Sequence, residues 1–195
     1  MKGKKTNNLK ESAFFIKNAI LKPKQVAYFL PSSKALIHSI AKKSQLATAK
    51  HIVELGPGTG GTTKGILLEM QQSAELCAVE INKDFVDYLN KSITDQRLHV
   101  RHDGAQNLTE IIKKLGWIHA DVVISGIPFS TLPKGIAKEI MQSIYASIKP
   151  GGLFVAYQLR DKVGQLATPI FGEAIVHWEY KNFPPMRIFI WKKTE

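Results

Sequence analysis

Four glycines stand close together after an apolar run, in the segment VELGPGTGG at residues 53–61. Gly56, Gly58 and Gly61 let the backbone pass close to a ligand, because glycine has no Cβ atom. A helical pattern follows, and the first N–H groups of a helix bind polar or anionic groups. In open α/β sheets, nucleotide-like ligands bind at such junctions of strand, turn and helix. The spacing also satisfies the dinucleotide fingerprint, so the turn alone does not identify the ligand.

Acidic residues stand at or near the ends of three successive predicted strands. Glu54 precedes the first glycine of the turn by two residues, where its charge can attract a cationic sulfonium-bearing amino acid. Glu80 ends the next strand, where a carboxylate can accept hydrogen bonds from both hydroxyls of a ribose. Asp103, which Gly104 follows, comes after the third strand in a position suited to an adenine amino group. Together these acids favour an adenosyl ligand that carries a positively charged amino-acid part.

Strand and helix patterns alternate along most of the chain, which predicts a parallel sheet with helices on both faces. The 195 residues suffice for one such domain with a sizeable core. Two further strand-like runs at the end have no long helix between them, which predicts an antiparallel hairpin at the sheet edge. The predicted strands are at about residues 51–55, 75–80, 97–101, 121–125, 152–158, 174–181 and 187–192, and the helices between them at about 60–71, 82–92, 106–115 and 134–148.

Over about residues 50–195 this pattern resembles the class I S-adenosylmethionine-dependent methyltransferases. The resemblance implies a Rossmann-like α/β fold with a seven-stranded, mostly parallel sheet, a C-terminal antiparallel hairpin and an N-terminal helical lid. It implies S-adenosylmethionine as the cofactor and S-adenosylhomocysteine as the product. The residues that it assigns to cofactor binding are Glu54, Gly56, Gly58, Thr59, Gly60, Glu80, Ile81, Asp103, Gly104 and Ser125.

The stretch DVVISGIPFST at residues 121–131 follows the fourth strand, where the methyl acceptor is expected. Enzymes that methylate adenine N6 carry an Asn or Asp there, followed by a proline-containing pair and an aromatic residue. This chain has the Ile-Pro-Phe part, but Gly126 stands where ribosomal RNA adenine dimethylases have Asn. Because glycine has no side chain to hold a planar amine, this departure argues against an RNA substrate without excluding it.

The chain more closely resembles the bacterial phospholipid N-methyltransferases, which convert phosphatidylethanolamine to phosphatidylcholine. The similar segments lie in order with the cofactor motifs, at residues 14–24, 31–33, 125–129 and 182–185. The resemblance implies direct transfer of methyl to a neutral primary amine and its methylated products. The candidates for contact with that amine are Tyr28, Ser125, Tyr157 and Asn182. An RNA adenine dimethylase and a non-enzymatic binding protein remain the alternatives, although the full set of cofactor acids argues against the second.

Positive charge is concentrated at the N-terminal end of the chain. Of the net charge of +11, residues 1–50 carry +10, from eleven lysines and one acid. Such an asymmetry predicts an anionic partner for this end. A helix at about residues 9–22 places apolar residues between lysines, the composition of an interfacial membrane anchor. The apolar residues of this helix and its borders include Phe14, Phe15, Ile16, Ile20 and Leu21.

We therefore predict two parts, a basic helical segment at residues 1–50 and a methyltransferase domain at residues 51–195. A second helix is expected from a cap at Ser32 or Ser33 to about Lys43. The first part is expected to contact an anionic phospholipid surface, to cover the cofactor as a lid, or both. No apolar run reaches the length of about 18–20 residues that a transmembrane helix needs. Because Cys77 is the single cysteine, no cysteine cluster can hold a metal, and we predict no metal site. We expect a cytoplasmic enzyme, peripheral on the inner face of the membrane, with nucleic acid an improbable partner.

Overall fold

A seven-stranded sheet organises the chain. The computed structural model describes residues 32–194. The strand order is β3-β2-β1-β4-β5-β7-β6, with β1 to β5 parallel and β7 antiparallel to both β5 and β6. The predicted α/β fold with a C-terminal antiparallel hairpin is therefore confirmed. The strands are β1 His51–Leu55, β2 Glu75–Glu80, β3 Leu98–His102, β4 Ala120–Ser125, β5 Ile148–Gln158, β6 Ile175–Glu179 and β7 Met186–Lys192.

Six α-helices in the described part of the chain pack on the two faces of the sheet. Two of them begin at a side-chain cap: Ser33 Oγ accepts from Leu36 N–H at 3.1 Å before α1, and Asn82 Oδ1 accepts from Asp84 N–H at 2.9 Å before α3. Both caps agree with the predicted helix starts. The helices are α1 Lys34–Lys43, α2 Gly61–Glu69, α3 Lys83–Ser92, α4 Leu108–Lys114, α5 Lys134–Ser147 and α6 Lys162–Phe171.

Two differences from the predicted elements stand out. Strand β5 begins at Ile148, four residues earlier than expected, because Ile148 already pairs with Ala120 of β4, ahead of an irregularity before Leu153 pairs with Val122. Helix α6 was not predicted at all. It contains Gly164 and Pro169, and both residue types have low helix propensity. However, Val163, Ala167 and Phe171 recur every fourth residue and are buried, so they form one apolar face of the helix.

The core has one apolar cluster on each side of the sheet. On one side Leu36 and Ile40 of α1 pack with Ile52 of β1 and Ile66 of α2. On the other side the helices α4, α5 and α6 cover an aromatic group that includes Phe154, Phe171 and Trp191. Helix α1 therefore packs as part of the sheet domain. The predicted helix at residues 9–22, Tyr28 and most of the predicted lid lie outside the described residues.

The topology brings the functional loops to one edge. Parallel strands β1 to β5 all end at this edge, which we call the carboxyl edge. Because β7 runs antiparallel to β5, with Gln158 opposite Arg187, the β6–β7 loop at residues 180–185 reaches the same edge. Among residues 32–194, no helix is long and apolar enough to cross a bilayer.

Candidate functional site

The glycine turn between β1 and α2 forms the floor of the site. Gly56, Gly58 and Gly60 have φ angles of 73°, 55° and 80°, the left-handed region that disfavours residues with a side chain. A Cβ atom on Gly58 would meet no atom of residues 32–194 within 4 Å, whereas one on Gly56 would come within 3.2 Å of the Ile127 side chain. Thr59 is exposed at the tip of the turn. The turn therefore packs against the chain at Gly56 and leaves open space over Gly58.

Glu80 links the end of β2 to this turn. Its carboxylate accepts from Gly58 N–H at 3.1 Å and from Asn82 N–H at 2.8 Å, and the side chain is buried. Burial raises the pKa of Glu80, and the hydrogen bonds from Asn82, Gly58 and Ile81 oppose that rise. The result is a positioned acceptor beside the open space over Gly58, where the sequence predicts a ribose.

Glu54 is a buried carboxyl group one strand away from Glu80. Thr63 Oγ1 donates to its Oε2 at 2.6 Å, while Oε1 has no hydrogen-bond partner among residues 32–194. Burial raises the pKa of Glu54 to about 7, the bond from Thr63 lowers it, and the nearby charge of Glu80 raises it further. A buried carboxyl oxygen without a partner is costly, and a cationic group placed there would relieve that cost.

Asp103 begins the loop after β3, at the same edge. Its N–H donates to Glu80 O at 3.1 Å, and its Oδ1 accepts from Gly104 N–H at 2.8 Å and from Asn107 Nδ2 at 2.7 Å. Ile81 follows Glu80, and its carbonyl lies 3.1 Å from His102 Nε2. These residues are brought together beside Glu80, and the role of Asp103 toward adenine stays a prediction.

The substrate side of the site centres on Gly126 and Tyr157, at the ends of β4 and β5. A Cβ atom on Gly126 would overlap the Tyr157 hydroxyl oxygen and come within 2.9 Å of its Cζ. The hydroxyl also lies 3.3 Å from Thr62 Oγ1. Burial, together with the nearby charge of Glu54, raises the pKa of Tyr157, so the phenol stays neutral. The tyrosine hydroxyl thus occupies space that a side chain at position 126 would need.

The other predicted amine contacts are placed differently. Ser125 is fully buried, and its Oγ accepts from Ile127 N–H at 3.3 Å, which shapes the loop after β4. Asn182 accepts from Ser33 N–H at 2.9 Å and donates to Pro184 O at 2.8 Å. Asn182 therefore ties the β6–β7 loop to the start of α1. Contact of Ser125, Asn182 and the undescribed Tyr28 with an amine stays a prediction.

Three polar residues at the site were not singled out from the sequence. Thr62 and Thr63 lie in the first turn of α2, and Thr62 Oγ1 donates to Ser32 Oγ at 3.3 Å. Gln158 is buried at the end of β5, and its Nε2 donates to Ile127 O at 2.6 Å. Their signal is positional, since Gln158 ends a strand at the carboxyl edge and the two threonines begin the helix that follows the glycine turn.

Three comparisons with known proteins bear on this site. An ornithine lipid N-methyltransferase from Singulisphaera acidiphila is 27% identical over 162 residues, 82% of this chain and 84% of that protein. A mitochondrial ribosomal RNA small subunit methyltransferase from Arabidopsis thaliana is 30% identical over 117 residues, 58% of this chain but 28% of that protein. The solved structure of the N-methyltransferase NodS from Bradyrhizobium japonicum WM9 with S-adenosyl-l-homocysteine has a TM-score of 0.65, covering 96% of this chain and 100% of that one. At 10% identity, this last likeness concerns the fold alone.

The site geometry fits the cofactor of this fold, S-adenosylmethionine. The open space over Gly58 and the carboxylate of Glu80 beside it suit a ribose. The Oε1 atom of Glu54, which has no partner among residues 32–194, suits a cationic amino acid. The sequence model of the family described as "Ribosomal RNA adenine dimethylase" matches residues 22–151, about two thirds of the chain. The chain therefore belongs to the ribosomal RNA adenine dimethylase family of class I S-adenosylmethionine-dependent methyltransferases.

Proposed function

We propose that this methyltransferase acts on the primary amine of a membrane lipid head group. The first candidate is phosphatidylethanolamine, and its methylated forms are further substrates on the way to phosphatidylcholine. The observation that carries the proposal is the pair of Gly126 and Tyr157. In adenine dimethylases a polar side chain at the position of Gly126 holds the planar amine. Here that space belongs to a neutral phenol hydroxyl.

A hydroxyl suits an aliphatic amine. Bound S-adenosylmethionine supplies an electrophilic methyl group. The chain has to hold a neutral amine with its lone pair toward that group, and positioning of this kind accounts for much of the rate in such reactions. Tyr157 Oη can accept a hydrogen bond from an amine N–H, which orients the lone pair away from the ring. Thr62 lies 3.3 Å from the same hydroxyl and can orient it in turn.

After each methyl transfer, a proton has to leave the product amine before the next transfer. The new N–C bond forms as the S–C bond breaks, so the positive charge moves to nitrogen and one proton must leave before a further round. With its raised pKa, Tyr157 is not a base at neutral pH. The charge of Glu54, whose own pKa is about 7, contributes to the raised pKa of Tyr157. We assign proton removal to water at the mouth of the site rather than to a dedicated base.

Two relatives point to two substrate classes. The ornithine lipid N-methyltransferase matches along most of both chains and supports a lipid amine. The plant ribosomal RNA methyltransferase and the family itself support the second candidate, dimethylation of adenine N6 in RNA. The present chain spans 28% of the plant protein's length. We rank the lipid first because of the Gly126 and Tyr157 pair.

The experiment measures transfer from labelled cofactor to four acceptors. These are vesicles containing phosphatidylethanolamine, vesicles containing an ornithine lipid, vesicles of phosphatidylcholine alone, and small-subunit ribosomal RNA. We expect label in one or both amine lipids and none in phosphatidylcholine, whose nitrogen is already quaternary. Label in RNA with both amine lipids inert would reverse the ranking, and label in the ornithine lipid alone would replace the proposed head group. The variant Gly58→Val serves as the inactive control.

We further propose that residues 1–50 bring the enzyme to an anionic membrane surface at the cytoplasmic face. Each lysine near an anionic leaflet contributes on the order of 1 kcal/mol, so several give reversible binding. Screening shortens the reach of exposed charge from about 10 Å at 0.1 M salt to about 3 Å at 1 M. Sedimentation of the full chain with phosphatidylglycerol vesicles should therefore fall steeply with salt. Equal sedimentation with neutral and anionic vesicles would exclude this electrostatic step.

A further inference from the structure

Exposed apolar side chains are concentrated on the β6–β7 hairpin. Residues 32–194 contain eight large hydrophobic side chains that are exposed, and five of these lie within residues 175–183. Scattered exposed hydrophobics are ordinary, but a contiguous group marks an interaction surface. We call Trp178, Tyr180 and Phe183, which are 50%, 73% and 87% exposed, the aromatic hairpin surface.

The aromatic hairpin surface is ordered by its own contacts. Side chains alternate along β6, and Glu179 accepts from Ser39 Oγ of α1 at 2.5 Å. Trp178 therefore points to the opposite face, where its ring stacks on Tyr180 at 5.8 Å with an interplanar angle of 14°. The Arg187 guanidinium lies 5.4 Å from the centre of the Trp178 ring. Because the rings of Trp178 and Tyr180 are already held, these two side chains lose little conformational freedom when they are buried.

This surface lies beside the site. Phe183 is in the β6–β7 loop at the carboxyl edge, and its neighbour Asn182 holds the loop to Ser33 N–H. The adjacent Ser32 accepts from Thr62, which in turn contacts the Tyr157 hydroxyl at 3.3 Å. A surface that docks through Phe183 therefore brings the substrate side of the site close to whatever it docks on.

The charge around the aromatic residues is positive. Three basic side chains, Lys43, Lys181 and Arg187, lie near these residues, against two acids, Glu179 and Asp161. Hydrogen bonds from Ser39 and Lys181, with the charges of Lys181 and Lys43, lower the pKa of Glu179. Two like-charged copies of this surface would repel each other, whereas Trp and Tyr rings flanked by cations are the composition found at membrane–water interfaces. The partner that matches both features is an anionic bilayer.

We infer that the β6–β7 hairpin is a membrane-docking element, which places Trp178, Tyr180 and Phe183 in the interface of an anionic bilayer and turns the carboxyl edge toward the lipid. The inference rests on the proposed lipid substrate for its purpose, but its physical basis is the described surface. It adds a second contact to the one proposed for residues 1–50. Lipid amines would then reach Tyr157 without the molecule leaving the bilayer.

Trp178 offers a direct test, because Trp117 and Trp191 are buried. The full chain is titrated with vesicles of equal parts phosphatidylglycerol and phosphatidylcholine, the latter brominated on its acyl chains to quench nearby tryptophan. We expect quenching in the wild type and its loss in Trp178→Phe. Absence of quenching when the protein sediments with the vesicles, or absence of sedimentation, would overturn the inference.

Affinity gives an independent readout with a matched control. The triple variant Trp178→Ala, Tyr180→Ala and Phe183→Ala should weaken binding to the same vesicles by tenfold or more. The double variant Leu68→Ala and Ile118→Ala removes side chains that are 86% and 85% exposed elsewhere, and it should bind like the wild type. Equal loss in both variants would contradict a specific docking surface. A change from dimer to monomer on size-exclusion chromatography in the triple variant alone would identify a contact between copies instead.

The two proposals fail separately. Methylation of phosphatidylethanolamine dispersed in detergent micelles does not require docking to a bilayer. If the triple variant keeps this activity but loses vesicle binding and activity on bilayers, both proposals stand. Wild-type transfer to lipid without quenching would remove the docking inference alone. Quenching without any transfer to lipid would remove the proposed function alone.

Discussion

The two halves of the carboxyl edge are built in different ways. On the cofactor half, at the ends of β1, β2 and β3, the carboxylates of Glu80 and Asp103 are each held by a backbone N–H one or two residues further along the chain. On the substrate half, at the ends of β4 and β5 and in the β6–β7 loop, contacts between distant residues are added to local ones, and the bond between Ser33 and Asn182 spans 149 positions. The predicted cofactor half is therefore built largely from contacts between residues near in sequence, apart from the bond from Gly58 N–H to Glu80, whereas the predicted substrate half depends on the assembled fold.

The largest effect should come from a side chain in the glycine turn. Gly58→Val places a branched side chain in the open space over the turn and forces it into the left-handed region. We expect calorimetry to detect no binding of S-adenosylmethionine. Gly116→Val is the matched control, because Gly116 has a φ of 80° and open surroundings but lies before β4, at the opposite edge. Near-normal methylation by Gly58→Val would show that the ligand does not lie on this turn.

The next effect tests the carboxylate at the end of β2. Glu80→Ala removes an acceptor for both ribose hydroxyls, and each bond to a charged acceptor is worth about 1.5–3 kcal/mol. It also removes the restraint on Gly58 N–H. We expect cofactor affinity to fall by tenfold or more in calorimetry, with cooperative thermal unfolding retained. Glu80→Gln keeps one acceptor oxygen and should lose less. Unchanged affinity in the alanine variant would remove Glu80 from the cofactor site.

A third prediction separates the two halves directly. Tyr157→Phe deletes the hydroxyl that we assign to the amine and keeps the glycine turn, Glu54 and Glu80 of the cofactor half unchanged in sequence. We expect kcat on lipid amine to fall about tenfold, within the range of a lost positioning hydrogen bond, while the dissociation constant of the cofactor changes less than twofold. Tyr145→Phe, on α5 against Phe171, should change neither value. If cofactor binding weakens along with kcat in Tyr157→Phe, the division into two halves does not hold.

The contrast also explains how far the sequence could predict the site. Glu54, Glu80 and Asp103 stand at fixed distances from strand ends, so a correct strand assignment brings them to one edge. The Asn82 cap follows from residue type and spacing alone. The bond from Thr63 to Glu54 was missed because it depends on how α2 turns against β1, which spacing does not determine.

On the substrate half, the sequence pointed to Gly126 as a departure but could not say what fills its place. The answer depends on the register of β4 against β5, where Ser125 pairs with Ala156 and Tyr157 projects past Gly126. A register is set by packing of both strands and is not visible in either alone. Asn182 was predicted from its motif as an amine contact, yet its described bonds hold a loop to α1.

The smallest expected effect concerns Glu54 and stability. Its pKa is about 7 in the folded chain, against an ordinary value of 4.5, because the carboxyl group is buried. The folded state therefore holds the proton more tightly than the unfolded state. The stabilisation that this tighter proton binding gives to the folded state is fully present below pH 4.5 and is lost as pH rises through 7. Without cofactor, the free energy of unfolding should fall between pH 5 and pH 8 by an amount on the order of 1–3 kcal/mol.

Glu54→Gln tests this, because glutamine is neutral at every pH. The variant without cofactor should be more stable than the wild type at pH 8 and similar to it at pH 5, as measured by thermal unfolding. Glu139→Gln, which changes an exposed acid on α5, should leave the pH dependence unaltered. In the presence of S-adenosylmethionine the order should reverse, since only the ionised carboxylate can pair with a cationic amino acid, and binding adds to the stability of the folded state. Suppose that Glu54→Gln gains stability at pH 8 but binds the cofactor as well as the wild type does. The charge of Glu54 would then have no role in cofactor recognition, and Glu54 would belong to the core of the cofactor half rather than to its binding surface.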